Sequence, residues 1–215
     1  MKPTKSLFVL AALLLFPAIA SAQGYYGGRG GGGYYAQPPS NSVLPGGFHN
    51  RQGRLIFGFS LGLGGMHDRG GDIECANCRF STASGEVSGH IGGFIGPRFA
   101  LMGEAQANMQ TLATDGYDDT VLVQSALMVA GQYWVTPQLW VKGGIGFANV
   151  AVDDTYYGTS ESVDNGMALM GAIGFELLSS RYFSLDLQGR VLNGAYKGID
   201  NSITAGSVGI GINWF

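Results

Sequence analysis

Downstream of Arg54 the chain places a large apolar side chain at every second position and rarely in longer blocks. Leu55, Phe57, Phe59, Leu61 and Leu63 alternate with Gly58, Ser60, Gly62 and Gly64. A period of two belongs to an extended strand whose faces meet different surroundings. Seven more segments repeat it. Val87, Gly89, Ile91, Gly93 and Ile95 alternate with Ser88, His90, Gly92 and Phe94, and Leu101, Gly103, Ala105, Ala107 and Met109 with Met102, Glu104, Gln106, Asn108 and Gln110. Val121, Val123, Leu127 and Val129 oppose Gln124, Ala126, Ala130 and Gln132; Val141, Ile145 and Phe147 oppose Lys142, Gly144 and Gly146. Leu169, Ile173 and Phe175 oppose Ala172, Gly174 and Glu176, while Phe183, Leu185, Leu187 and Val191 oppose Ser184, Asp186, Gln188 and Arg190. The last segment sets Val208, Ile210, Ile212 and Trp214 against Ser207, Gly209, Gly211 and Asn213.

Eight amphipathic strands suit either a soluble sandwich or barrel with its apolar faces inside, or a membrane barrel with them outside. The second face decides between these. It carries Gly, Ala, Ser, Gln and Asn with isolated charges, not the Lys, Glu and Thr of a wetted surface, and small polar groups suit the crowded lumen of a narrow barrel. The connections agree. Those at Gly96–Arg98, Thr136–Gln138 and Leu178–Tyr182 are short; those at Gly65–Gly85, Thr111–Asp118, Asp153–Asp164 and Asn193–Ser202 are longer. Alternating short turns and long loops mark outer-membrane barrels. The expected fold is all-β: an eight-stranded antiparallel up-and-down transmembrane barrel. Trp134, Trp140 and Trp214 fall near its short-turn rim, where an aromatic girdle would sit.

Composition sharpens this picture. Of 215 residues, 46% are apolar, only 13% charged and 37 are glycine, against about 25% charged and 7% glycine in ordinary soluble domains. Lys2 and Lys5, the apolar run Leu7–Ile19 and the ending Ala20-Ser21-Ala22 read as a secretory signal peptide over residues 1–22. Residues 23–50, with nine glycines and three prolines, read as a flexible Gly/Tyr/Pro-rich tail, and residues 51–215 as the barrel. Removing the leader leaves ten basic and fifteen acidic residues, a net charge of −5 that gives nucleic acid no basic face.

Over Arg54 to Phe215 the chain resembles the small eight-stranded outer-membrane barrels that include OmpA- and OmpX-like domains. Val208, Ile210, Ile212, Trp214 and Phe215, an amphipathic strand closing on phenylalanine, resemble that group's assembly signal for the barrel-insertion machinery. Gln132–Gln138 and Leu185–Arg190 are similar to a family of uncharacterised outer-membrane barrels. The resemblance implies a monomer in the outer membrane of a Gram-negative cell, tail in the periplasm, in contact with lipid and lipopolysaccharide. It implies no activity.

Candidate chemistry is sparse. Glu104, Lys142, Glu176, Asp186 and Arg190 share the small, polar face, and lone charges in a narrow lumen must pair. A salt-bridge network plugging the barrel is the leading expectation; a narrow or gated pore is the alternative. Cys75 and Cys78, spaced Cys-Ala-Asn-Cys in the first long loop of an exported chain, suggest a disulfide in preference to zinc or thiol redox. His90 falls on the lumenal face, so a hydrogen-bonded core histidine is expected in place of a lipid-facing catalytic one. The long loops together with the adjoining Asp119 hold eleven acids and three bases, a repulsive crown or a set of carboxylates able to share divalent cations with anionic glycolipid. No cofactor site and no enzyme are expected, lipid modification being the least favoured class.

Overall fold

The computed structural model describes residues 43–44, 47–68, 78–114, 120–154, 159–180, 182–197 and 202–215. Two short strands, β1 (Val43–Leu44) and β2 (Phe48–His49), pair with each other. The long strands are β3 (Leu55–Asp68), β4 (Cys78–Phe94), β5 (Phe99–Thr114), β6 (Thr120–Trp134), β7 (Leu139–Asp154), β8 (Thr159–Ser179), β9 (Phe183–Tyr196) and β10 (Ser202–Trp214). Each pairs antiparallel with its sequence neighbours, and β10 closes on β3 through the register Trp214↔Phe57 to Ile203↔Asp68. Among the described residues, the eight strands expected from the alternation thus form a closed up-and-down barrel.

The barrel is inside out relative to a soluble domain. Leu63 and Phe147 are 75% and 76% exposed on its outer wall, whereas Glu104 and Glu176 are 1% and 0% exposed inside. Strands of 13 to 21 residues exceed the 9–11 or so that cross a hydrocarbon core. The excess lies at the long-loop end, where the outward apolar series on successive strands gives way to His67, Thr111, Asn149, Asn165 and Asn193. Those outward polar groups pair laterally: Asn149 Nδ2 donates to Asn165 Oδ1 at 2.9 Å, and Asn193 Nδ2 to Thr204 Oγ1 at 2.8 Å.

Several sequence expectations change. The strands run into segments read as long loops, to Asp68 and from Cys78, because ladder hydrogen bonds continue after the apolar alternation has stopped. The last short turn likewise shrinks, since β8 extends to Ser179; Ser180 caps it by donating from its backbone N to Phe183 O at 2.8 Å. The aromatic girdle is corrected for two of three tryptophans. Trp134 and Trp140 point into the lumen and are buried; only Trp214 faces outward, stacked on Phe57 with centroids 5.2 Å apart. Position near the rim was legible, but strand parity, preserved through the tight turn, puts both indoles inside. The end of the segment read as a flexible tail is also ordered: Phe48 and Asn50 are buried. Cys75 lies outside the described residues, and with it the proposed Cys75–Cys78 bond; the backbone of Cys78 opens β4 opposite Thr114.

Candidate functional site

Strand parity delivers the lumen. In β5 every second residue, Met102, Glu104, Gln106, Asn108 and Gln110, turns inward because its neighbours Leu101, Gly103, Ala105 and Met109 face out. The same rule brings in Glu86 and His90 from β4, Lys142 from β7, Glu176 from β8, and Asp186 and Arg190 from β9. The interior then holds two charge clusters and an apolar layer.

The central cluster is built on Glu104. Lys142 Nζ donates to its Oε2 at 3.1 Å, and Arg190 Nη1 donates to its Oε1. Arg190 Nη1 also lies 4.0 Å from Glu86 Oε1, so one guanidinium faces two carboxylates. Ser60 Oγ supports Glu86 at 3.4 Å and shares a 2.6 Å hydrogen bond with Ser88 Oγ. All four charged side chains are at most 1% exposed, so each charge depends on its partners for the solvation that water would give.

The second cluster lies at the short-turn end. Arg51 forms a two-pronged contact with Glu176 at 2.8 and 3.0 Å, and Trp134 Nε1 donates to the same Glu176 Oε1 at 2.6 Å. Asp186 has no cation within salt-bridge distance among the described residues. Its Oδ2 accepts from Trp140 Nε1 at 3.0 Å and from Asn213 Nδ2 at 2.6 Å. Toward the long-loop end, Leu122, Met128, Val150, Met170, Leu192 and Ile203 form an apolar layer, beside which Gln124 Nε2 donates to Tyr196 Oη at 3.0 Å and to Ile203 O at 3.1 Å.

All five expected lumenal charges are therefore inside, but not as one network: Glu104, Lys142 and Arg190 meet, while Glu176 and Asp186 belong to the lower group. Two charged members were missed. Glu86 shares parity with Ser88 and His90 but stands one position ahead of Val87, where the outward apolar series begins. Arg51 carried no signal, since it precedes the first barrel strand, β3, and enters the lumen through a turn. His90 is buried and lumenal as expected, and its hydrogen-bonding neighbour is the side chain of Asn213 on the far side of β3, whose Nδ2 donates to Ser184 and Asp186. No group of three or more metal-ligating side chains converges among the described residues. Val208, Ile210, Ile212 and Trp214, which the resemblance reads as an assembly signal, line the outer face of β10, with Phe215 following against Phe94, ring centroids 5.8 Å apart.

Among solved structures, the chain is similar to Ail, the attachment invasion locus protein of Yersinia pestis, with a TM-score of 0.51 at 10% identity over 75% of this chain and 99% of that one. It is similar also to that protein in complex with the heparin analogue sucrose octasulfate, with a TM-score of 0.50 at 10% identity over 74% and 97% of the two chains. No family model matches the sequence, and no curated protein does. The fold is that of the small eight-stranded outer-membrane β-barrels.

Proposed function

We propose that the chain is a non-enzymatic barrel of a Gram-negative outer membrane, its lumen closed by its own side chains and its long loops forming the working surface. The observation that carries this is Glu104, held between Lys142 and Arg190 with every charged group at most 1% exposed. Such a triad fills the narrow interior that eight strands leave. In planar bilayers the purified wild-type barrel is expected to give no single-channel steps. A second reading, a narrow or gated pore, draws support from Arg190, which has Glu86 within 4.0 Å as an alternative partner. Reproducible steps in the wild type, altered by Lys142→Ala, would replace the closed-lumen reading with that one. Lipid-modifying catalysis has less behind it, because His90 is buried away from lipid and the outward His67 has no second catalytic side chain shown beside it among the described residues.

Loop charge narrows the partner. Ail has been seen with a sulfated polyanion. Here the long connections between strands hold six acids, Asp72, Glu74, Asp115, Asp118, Asp119 and Asp200, against two bases, Arg69 and Lys197, which repels polyanions unless cations bridge them. Divalent cations shared between loop carboxylates and lipopolysaccharide are the favoured contact, since hard oxygen ligands suit Ca²⁺ or Mg²⁺. Chelation with EDTA of a lipopolysaccharide-loaded sample should lower its melting temperature, by about 2–4 °C for each kcal/mol of binding lost. An unchanged melting point would remove the bridging reading.

A further inference from the structure

The segment before β3 is not part of the barrel ladder, yet it occupies the barrel's mouth. Gly47, with φ of +81°, turns the β1–β2 hairpin, and Phe48 lies buried beneath Arg98, whose guanidinium carbon is 3.6 Å from the ring centroid. The chain then drops Arg51 into the mouth. Its guanidinium grips Glu176 with two hydrogen bonds, donates to Ser179 Oγ at 3.2 Å, and stacks 3.8 Å from the ring centroid of Phe215 and 5.3 Å from that of Trp134. Phe94 completes the wall, its ring centroid 5.1 Å from that of Trp134. Immediately afterwards Gly53, at φ of +75°, reverses the backbone, Arg54 N donates to Arg51 O at 3.1 Å, and β3 begins.

One side chain thus touches β6 through Trp134, β8 through Glu176 and Ser179, and the residue after β10 through Phe215. A cation this deeply buried is tolerated only with its carboxylate and ring faces in place. Undocking Phe48–Arg51 would break none of the eight strand pairings, so the segment can leave while the barrel remains closed on itself.

We propose that Phe48–Arg51 is a detachable cork, clamped by Arg51 on Glu176 and Phe215, that closes the short-turn mouth of the barrel. The cork deepens the closed-lumen reading and rests on it only for its consequence, a mouth shut to water. Its docking is testable by itself, because the Arg51–Gln52 bond is a trypsin site that the docked state hides.

Barrel folded in detergent micelles, with folding verified by its heat-dependent mobility on SDS gels, is digested with trypsin and the products weighed by mass spectrometry. In the wild type the bond after Arg51 should be cut at least about tenfold more slowly than in the heat-unfolded chain, since cleavage tracks the population of the open form. Arg51→Lys keeps both the charge and the trypsin site but loses the planar fork and the stacking, and it lies outside the ladder, so the barrel should still fold. Cleavage after position 51 should then accelerate about tenfold or more. Glu176→Gln, if it folds, should act in the same direction. Wild-type cleavage as fast as in the unfolded chain, or an Arg51→Lys variant as protected as the wild type, would overturn the cork. Failure of the closed-lumen reading shows instead as single-channel steps, whatever the protease does.

Discussion

Glu104→Gln should lower the unfolding free energy of the barrel by about 3–5 kcal/mol, because it strands two buried cations rather than removing one contact. Lys142 and Arg190 both depend on the Glu104 carboxylate, and the other acid near them, Glu86, lies 4.0 Å from Arg190. The amide keeps the shape and can accept one hydrogen bond, but it cannot offset two positive charges. Urea unfolding in lipid vesicles, followed by tryptophan fluorescence, measures the loss. The triple variant Glu104→Leu, Lys142→Met, Arg190→Met should recover most of it, since a buried ionic triad can often be replaced by apolar groups of similar volume. A Glu104→Gln midpoint within about 1 kcal/mol of wild type would mean that the triad is as weakly coupled as a surface pair.

Trp140→Ala should be comparably costly, about 3–5 kcal/mol, through the cavity that it leaves. Trp140 is 1% exposed, donates to Asp186 at 3.0 Å, lies 5.4 Å from Lys142 Nζ and lies over the backbone of β8. The space beneath its ring exists because position 174 is glycine: a Cβ there would collide with Trp140 Cζ2 and Cε2. Gly174→Val should therefore destabilise by evicting the indole. It should be strongly non-additive with Trp140→Ala, because both changes break the same contact. Trp140→Phe separates packing from hydrogen bonding, retaining most of the ring while leaving Asp186 without one donor, at about 1–3 kcal/mol. Additive losses in the Gly174→Val, Trp140→Ala pair would show that the two residues do not share a site.

How far the lumen could be read from sequence depended on where each residue stands in its strand. Glu104, Lys142 and Arg190 lie mid-strand, flanked by outward apolar neighbours, so alternation assigned their face without ambiguity. Glu86 lies one position ahead of the first outward valine, Val87, so the apolar alternation does not reach it although the ladder does. His90 falls on the face that parity assigns to it, but its neighbour Asn213 stands on β10 at the other end of the sequence and meets it only when β10 closes on β3. The tryptophans show the converse. Their height along the barrel was readable, but the general preference of indoles for a membrane interface pointed two of them toward lipid, against their own parity.

The period of two, repeated eight times with short and long connections alternating, determined the strand number, the antiparallel order and the apolar outer wall, because each is a local consequence of pleat and turn. Closure decided the rest. Glu104 meets Lys142 and Arg190 from strands far apart in sequence only when the sheet curls so that β5, β7 and β9 face one another across the lumen, and the split into two charge clusters follows from the height at which each side chain enters. Arg51 belongs wholly to the tertiary structure. No periodicity contains it, and its place between Glu176 and Phe215 exists only once the last strand has paired with the first.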